Sequence, residues 1–277
     1  MANLIDFDQD YMRFAALRLK GRTDWKDDEL TEELNRSMRD WLNRKNDLLG
    51  GKTPDGYFAA LSPKELTALL ADYARSPVNI PEPLYARIAA TAQCEDDLKV
   101  MAADEEFCEK GRNTALRILC DRKPEGLIDL CVKLLGKGGD LEDIAVNYLK
   151  GAGYEAADAL NRVYDDADES AQDVMLDVLC DYPGVDATVE KLTRRLFNDP
   201  EHYAQHAALA ERLGDERMIE PLLRLTRLTD IGYFDYKEIV NAIESLGGDP
   251  GRERHFYGDA DYEALRVADT MPDDLIN

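Results

Sequence analysis

The stretch DPEHYAQHAALAERLGDERMIEPLLRLTRLTD, residues Asp199–Asp230, decides the fold class. Pro200 suits the first turn of a helix, where its missing N–H leaves no bond unmade. Ala204, Ala207, Ala208 and Leu209 give that helix a small-residue face. Gly214, directly after Leu213, matches a left-handed C-terminal cap. Asp215 then reads as the N-cap of a second helix, in which Met218, Ile219, Leu222, Leu223 and Leu225 recur at helical spacing. Neither short helix can bury its face alone, so the pair needs neighbours.

The chain supplies them on both sides. Leu130, Leu160, Leu192 and Leu222 fall in matching places of four successive second helices, separated by 30, 32 and 30 residues. Arg117-Ile-Leu-Cys-Asp121 returns as Asp177-Val-Leu-Cys-Asp181. The predicted pairs are 104–120 with 124–136, 140–150 with 154–166, 168–181 with 185–197, and 200–213 with 215–228; residues 233–246 open a further unit. A period near 30 with paired helices is the signature of a solenoid.

Leu213-Gly-Asp-Glu-Arg-Met-Ile-Glu-Pro221-Leu-Leu223 resembles the short HEAT-like repeat of the type named in phycobilisome lyases, and Ser245-Leu-Gly-Gly-Asp249 repeats part of it. The resemblance spans about residues 104–250, weakens over 62–103 and is absent before 60. At Tyr154–Leu160 alanines replace the proline. The resemblance implies an α-solenoid whose second helices line a concave face, and a family that mostly binds other macromolecules. The expected fold is all-α: residues 1–60 as an N-terminal helical segment, 61–250 as the HEAT-like solenoid of stacked antiparallel helix pairs, and 251–277 as a C-terminal cap and tail.

In the N-terminal segment, Phe7, Tyr11, Phe14, Ala15 and Leu17 predict a helix over 7–20, stopped by Gly21. Asp24 is the expected cap of a longer helix to about Leu49, with Trp25 and Trp41 as packing anchors. Gly50-Gly51-Lys52-Thr53 lacks the first glycine of a phosphate loop and runs into Pro54, so Thr53 reads instead as a cap. Ser62-Pro63 opens a helix bearing Leu66, Leu69, Leu70 and Tyr73, and a last helix is expected over 259–268 before a frayed end.

The net charge of −23 is uneven: residues 141–190 hold 13 acids against Lys150 and Arg162, whereas residues 191–230 are neutral. Acidity disfavours nucleic acid, whose phosphates need Lys and Arg, and favours either a basic partner or plain solubility. No apolar run approaches the ~20 residues that span a bilayer. The N-terminus, MANLIDFDQD, lacks the basic and apolar regions of a secretory signal. Cys94, Cys108, Cys120, Cys131 and Cys180 form no C-x-x-C pair, which fits free thiols in a reducing cytoplasm.

Two constellations could carry function. His202 and His206 lie four apart on one predicted helix beside Asp199 and Glu201, a spacing open to a metal. HEAT-repeat deoxyhypusine hydroxylases hold iron with His-Glu dyads, and this chain has no His-Glu step, so no metal or other cofactor is expected. The acidic run offers Glu155, Asp158, Asp165, Asp166, Asp168 and Glu169 as a docking surface for a basic protein segment; as a calcium loop it lacks the required pattern. Arg194, Arg195, Arg212, Arg217, Arg224 and Arg227 sit among seven acids and are expected in inter-repeat ion pairs. The leading expectation is a non-enzymatic, cytoplasmic protein-interaction scaffold. Its alternative is a metal- or small-molecule-dependent enzyme or accessory lyase working on the concave face.

Overall fold

The computed structural model describes residues 4–21, 26–251 and 254–269, the last five of these by backbone alone. Among the described residues there are sixteen α-helices, no strands and one isolated antiparallel bridge, Asn46 to Lys52. No helix among them is long and apolar enough to cross a membrane. The chain divides into two compact units, residues 1–134 with 138–145 and residues 135–137 with 146–277.

The first unit opens with α1 (Phe7–Leu19) and α2 (Asp27–Leu42), which pack together. Asp6 caps α1 by accepting from Gln9 N at 2.8 Å, and Tyr11 Oη donates to Leu34 O at 3.0 Å. The helix expected to run to Leu49 stops at Leu42 and gives way to a separate 3-10 turn at Asp47–Leu49. The turn ends on Gly50 at φ 62°, a conformation that suits glycine. Asp24 and Trp25 lie outside the described residues, and Lys26 occupies the N-cap position without a side-chain bond.

Thr53 caps α3 (Pro54–Ala59) through Gly56 N at 3.1 Å, as its sequence predicts. Ser62 and Glu65 close a capping box on α4 (Pro63–Ala74), satisfying two end donors reciprocally. Next come α5 (Glu82–Ala89), α6 (Glu95–Ala103), α7 (Glu109–Arg122) and the short α8 (Leu127–Val132). Among these, α4, α5, α6 and α7 pack on one another around Leu66, Leu70, Leu84, Ile88, Leu98, Leu116 and Leu119, all at 0–1% exposure.

One helix, α9 (Gly139–Lys150), contributes to both units. The second unit continues with α10 (Tyr154–Val163), α11 (Glu169–Leu179), α12 (Asp186–Asn198), α13 (Tyr203–Leu213), α14 (Ile219–Leu225), α15 (Tyr233–Ser245) and α16 (Ala260–Asp269). Several sequence neighbours pack on one another, α10 with α11, α11 with α12, α12 with α13 and α14 with α15, whereas the expected partners α9 and α10, and α13 and α14, are not among the closely packed pairs. Alternate helices also touch, α11 with α13 and α13 with α15. Gly214 takes φ 66° at the end of α13, and Asp215 accepts from Arg217 N, as their positions predict. Gly136, at φ 80°, sits where an added Cβ would lie 2.7 Å from the Ala171 side chain, so that close approach needs glycine.

Leu160, Leu192 and Leu222 are fully buried. Leu130 is only half-buried, because α8 starts three residues before it and turns Leu127 and Cys131 inward instead. In the repeated Leu-Cys-Asp only the leucine plays the same part twice. Leu119 and Leu179 enter the core, while Asp121 accepts from Tyr85 Oη at 2.6 Å and Asp181 pairs with Lys150 at 3.7 Å. At the C-terminal end, Asp259 accepts from Tyr233 N at 3.1 Å and from Tyr262 N at 3.1 Å, capping α16 and tying it to α15. Residues 270–277, read as a frayed end, lie outside the described residues.

Candidate functional site

The acidic run begins on α10. Ala156, Ala157, Ala159 and Leu160 face the core, which leaves Glu155 and Asp158 exposed. The helix then tightens into a 3-10 turn at Tyr164–Asp166. That tightening exchanges two side chains. Val163, an apolar residue three places after Leu160, is 38% exposed, and Tyr164 is buried in its place. Tyr164 lies four residues after Leu160 and Val163 three, so helical spacing alone does not choose between them.

The six candidate residues fall into two groups. Asp165, Asp168 and Glu169 already have partners. Asp165 pairs with Arg194 at 2.6 Å, Glu169 pairs with Arg195 at 3.2 Å, and Asp168 caps α11 by accepting from Ala171 N at 2.9 Å. Glu155, Asp158 and Asp166 are exposed and have no hydrogen bond or ion pair among the described residues. Asp158 borders a shallow depression of about 390 Å³ with Asn161, Arg162, Val185 and Ala187. Asn161 donates through Nδ2 to Ala157 O at 3.0 Å, while its Oδ1 is buried without a partner. That oxygen is shut off from solvent, and Arg162 on the rim already sets a positive charge beside Asp158.

Of the six arginines expected in inter-repeat ion pairs, Arg194, Arg212 and Arg217 make them; Arg195 pairs within its own predicted repeat, Arg224 pairs with Glu220 on its own helix at 3.3 Å, and Arg227 has no ion pair among the described residues. Arg195, on α12, joins Glu169, Asp173 and Asp199. Arg212, on α13, joins Asp177 at 2.7 Å and Asp181 at 3.2 Å. Arg217 bridges Asp186 and Asp215. Much of the acidity of 165–186 is therefore neutralised by the arginines that follow it.

His202 and His206 converge on one carboxylate. His202 Nδ1 lies 2.9 Å from Asp199 Oδ1, and His206 Nε2 lies 3.1 Å from Asp199 Oδ2. Burial pushes the His206 imidazole below its ordinary pKa despite the pull of Asp199. The exposed His202 is raised by its bond to Asp199. Burial alone would raise Asp199, but its bonds from both imidazoles outweigh that and hold it below the usual carboxylate range. Asp199 precedes the 3-10 turn Pro200–His202 and only His206 lies on α13, so the chain's bend between α12 and α13, not a shared helical face, brings the three together. Among the described residues, no group of three or more His, Cys, Asp or Glu is placed to hold a metal ion.

One buried cation went unpredicted. Lys191 is 7% exposed and its Nζ sits 5.5 Å from the Tyr164 ring centroid, within cation–π range. The register of α12 carries it there: it precedes the core residue Leu192 and follows the buried Thr188 by three.

No protein-family model matches the chain, and no curated protein matches it.

Proposed function

We propose that the chain is a non-enzymatic protein-interaction scaffold of stacked HEAT-like helix pairs, and that the exposed acids of α10 and the turn after it dock a basic segment of a partner protein. The observation that carries this reading is the trio Glu155, Asp158 and Asp166, exposed and unpaired among the described residues while neighbouring acids are engaged. Stacking is supported by bonds between residues about one repeat apart: Thr67 to Asp97, separated by 30, Arg194 to Asp165 by 29, and Ala204 N to Asp235 by 31. A stack of this kind offers successive repeats to one extended ligand.

Exposed ion pairs contribute only about 0.2–1 kcal/mol each, so the three acids act together or not at all. The test is fluorescence anisotropy of a labelled oligolysine peptide against the full chain and a Glu155→Gln, Asp158→Asn, Asp166→Asn variant. Equal binding by both proteins would leave the acidity as a solubility feature.

A further inference from the structure

We propose that the groove between α1, α2, α3 and α5 binds a small organic ammonium, an apolar body carrying one cationic nitrogen. This site lies in the first unit, and the inference is independent of the basic-segment reading. The groove encloses about 470 Å³, within the roughly 300–1,000 Å³ typical of small-molecule sites. Its wall is apolar and aromatic. Trp41 meets Phe7 edge to face at 6.0 Å and Tyr11 at 5.7 Å between ring centroids, and Met38, Leu42 and Pro83 complete the surface. The Trp41 indole N–H donates to Asp10 at 2.9 Å, outside the groove lining; Trp41 and Phe7 are only 6% and 4% exposed and form the floor, while Tyr11, Met38, Leu42 and Pro83 give the accessible surface.

The charge around this wall has one sign. Asp8, Asp55 and Glu82 line the groove, and no Lys or Arg among the described residues does. Each lies in the first turn of its own helix, α1, α3 or α5, where the helix dipole favours the ionised carboxylate. Three helix ends at roughly half a positive charge each do not cancel three carboxylates, so the mouth stays negative. Asp8 accepts from the Asn79 side-chain amide at 2.7 Å, a bond that fixes the carboxylate without neutralising it. An anion is repelled here. A neutral apolar molecule fills the wall but leaves the carboxylates unmatched. An ammonium on an apolar body matches both, and aromatic rings favour a cation within about 6 Å.

Three probes with one apolar body separate these cases: 4-phenylbutylammonium, 4-phenylbutanol and 4-phenylbutyrate, titrated into the full chain by calorimetry. The ammonium is expected to bind at one saturable site, about tenfold more tightly than the alcohol, and the carboxylate not to bind detectably. Ala86 lines the groove and is exposed on α5, so Ala86→Trp is expected to fill it and abolish binding of every probe. Asp8→Asn, Asp55→Asn and Glu82→Gln together are expected to keep the alcohol's affinity and remove the ammonium's advantage. Circular dichroism checks each variant's fold. If Ala86→Trp misfolds, the charge variant and ammonium-induced NMR shifts at Tyr11 and Met38 decide. No binding of the ammonium, equal affinity for ammonium and alcohol, or an advantage that survives the charge variant would overturn the proposal.

Discussion

Arg212 on α13 reaches back 35 residues to Asp177 on α11 and bonds it twice, through the carboxylate at 2.7 Å and through the backbone carbonyl. Lys150 approaches the same carboxylate at 2.8 Å from α9. Burial alone would raise Asp177, but its bonds to Lys150 and Arg212 win and hold it below the ordinary carboxylate value. A lowered carboxylate contributes stability above its unfolded pKa and loses it as pH falls through the folded value. Both side chains are more than a third exposed, so solvent screens the pair. A double-mutant cycle with Arg212→Ala and Asp177→Asn should give a coupling of about 0.2–1 kcal/mol at neutral pH, shrinking in high salt and below the ordinary carboxylate pKa. A coupling that does not respond to salt or acid would contradict an ionic tie.

The burial pattern sets a contrast within the second unit. Leu222→Ala should cost about 2–5 kcal/mol in urea denaturation, as deletion of a fully buried leucine does. Val163→Ala should stay within about 0.5 kcal/mol, the scale of surface changes. Similar costs at both positions would mean that the register of α10 or α14 is misassigned.

The two histidines should titrate on opposite sides of 6.5, followed by their ring-proton NMR shifts. His202 should titrate above that value and His206 below it. His202, raised, adds stability below 6.5 that is lost as pH rises through its folded value. His206, lowered, does the reverse: the fold loses stability as pH falls from 6.5 through the folded value of His206. Asp199→Asn should bring His202 down toward its ordinary value. Coincident titrations would show that Asp199 does not organise the pair.

The cysteines should differ in reactivity. A hydrogen bond from the Cys131 thiol lowers Cys120, which is half-buried, while the same bond and burial raise Cys131. Burial pushes Cys180 up to about 12 and raises Cys94. Iodoacetamide at neutral pH should therefore modify Cys120 before Cys94, Cys131 and Cys180, read by peptide mass mapping. Faster labelling of any of those three would contradict the assigned contact.

Most helix boundaries in the second unit were legible because caps and glycines carry their own chemistry. Gly214, Asp215 and Pro200 mark ends whatever surrounds them. What stayed hidden depends on local winding. The 3-10 turn at Tyr164–Asp166 moved Val163 out and Tyr164 in, and the late start of α8 displaced Leu130. A 3.6-residue period does not register either shift. The six acids were legible as a cluster, but their pairing was not. Which of them meets an arginine depends on how α12 lies against α10 and α11, so Asp165 and Glu169 look like Asp158 in sequence. The groove of the first unit draws on four helices spread from Phe7 to Ala86, and no local pattern marks it.

In the proposed function, three specific acids rather than acidity at large recruit a basic segment. The most direct test is oligolysine anisotropy across a salt series with two variants of equal charge. One replaces Glu155, Asp158 and Asp166 with their amides; the other does the same to Asp28, Glu32 and Asp96, exposed acids of the first unit. Binding should weaken as the Debye length shortens from about 10 Å at 0.1 M salt to about 3 Å at 1 M. The first variant should lose about tenfold in affinity, and the second should bind like the unmodified chain. Equal losses in the two variants, or none in either, would contradict the claim.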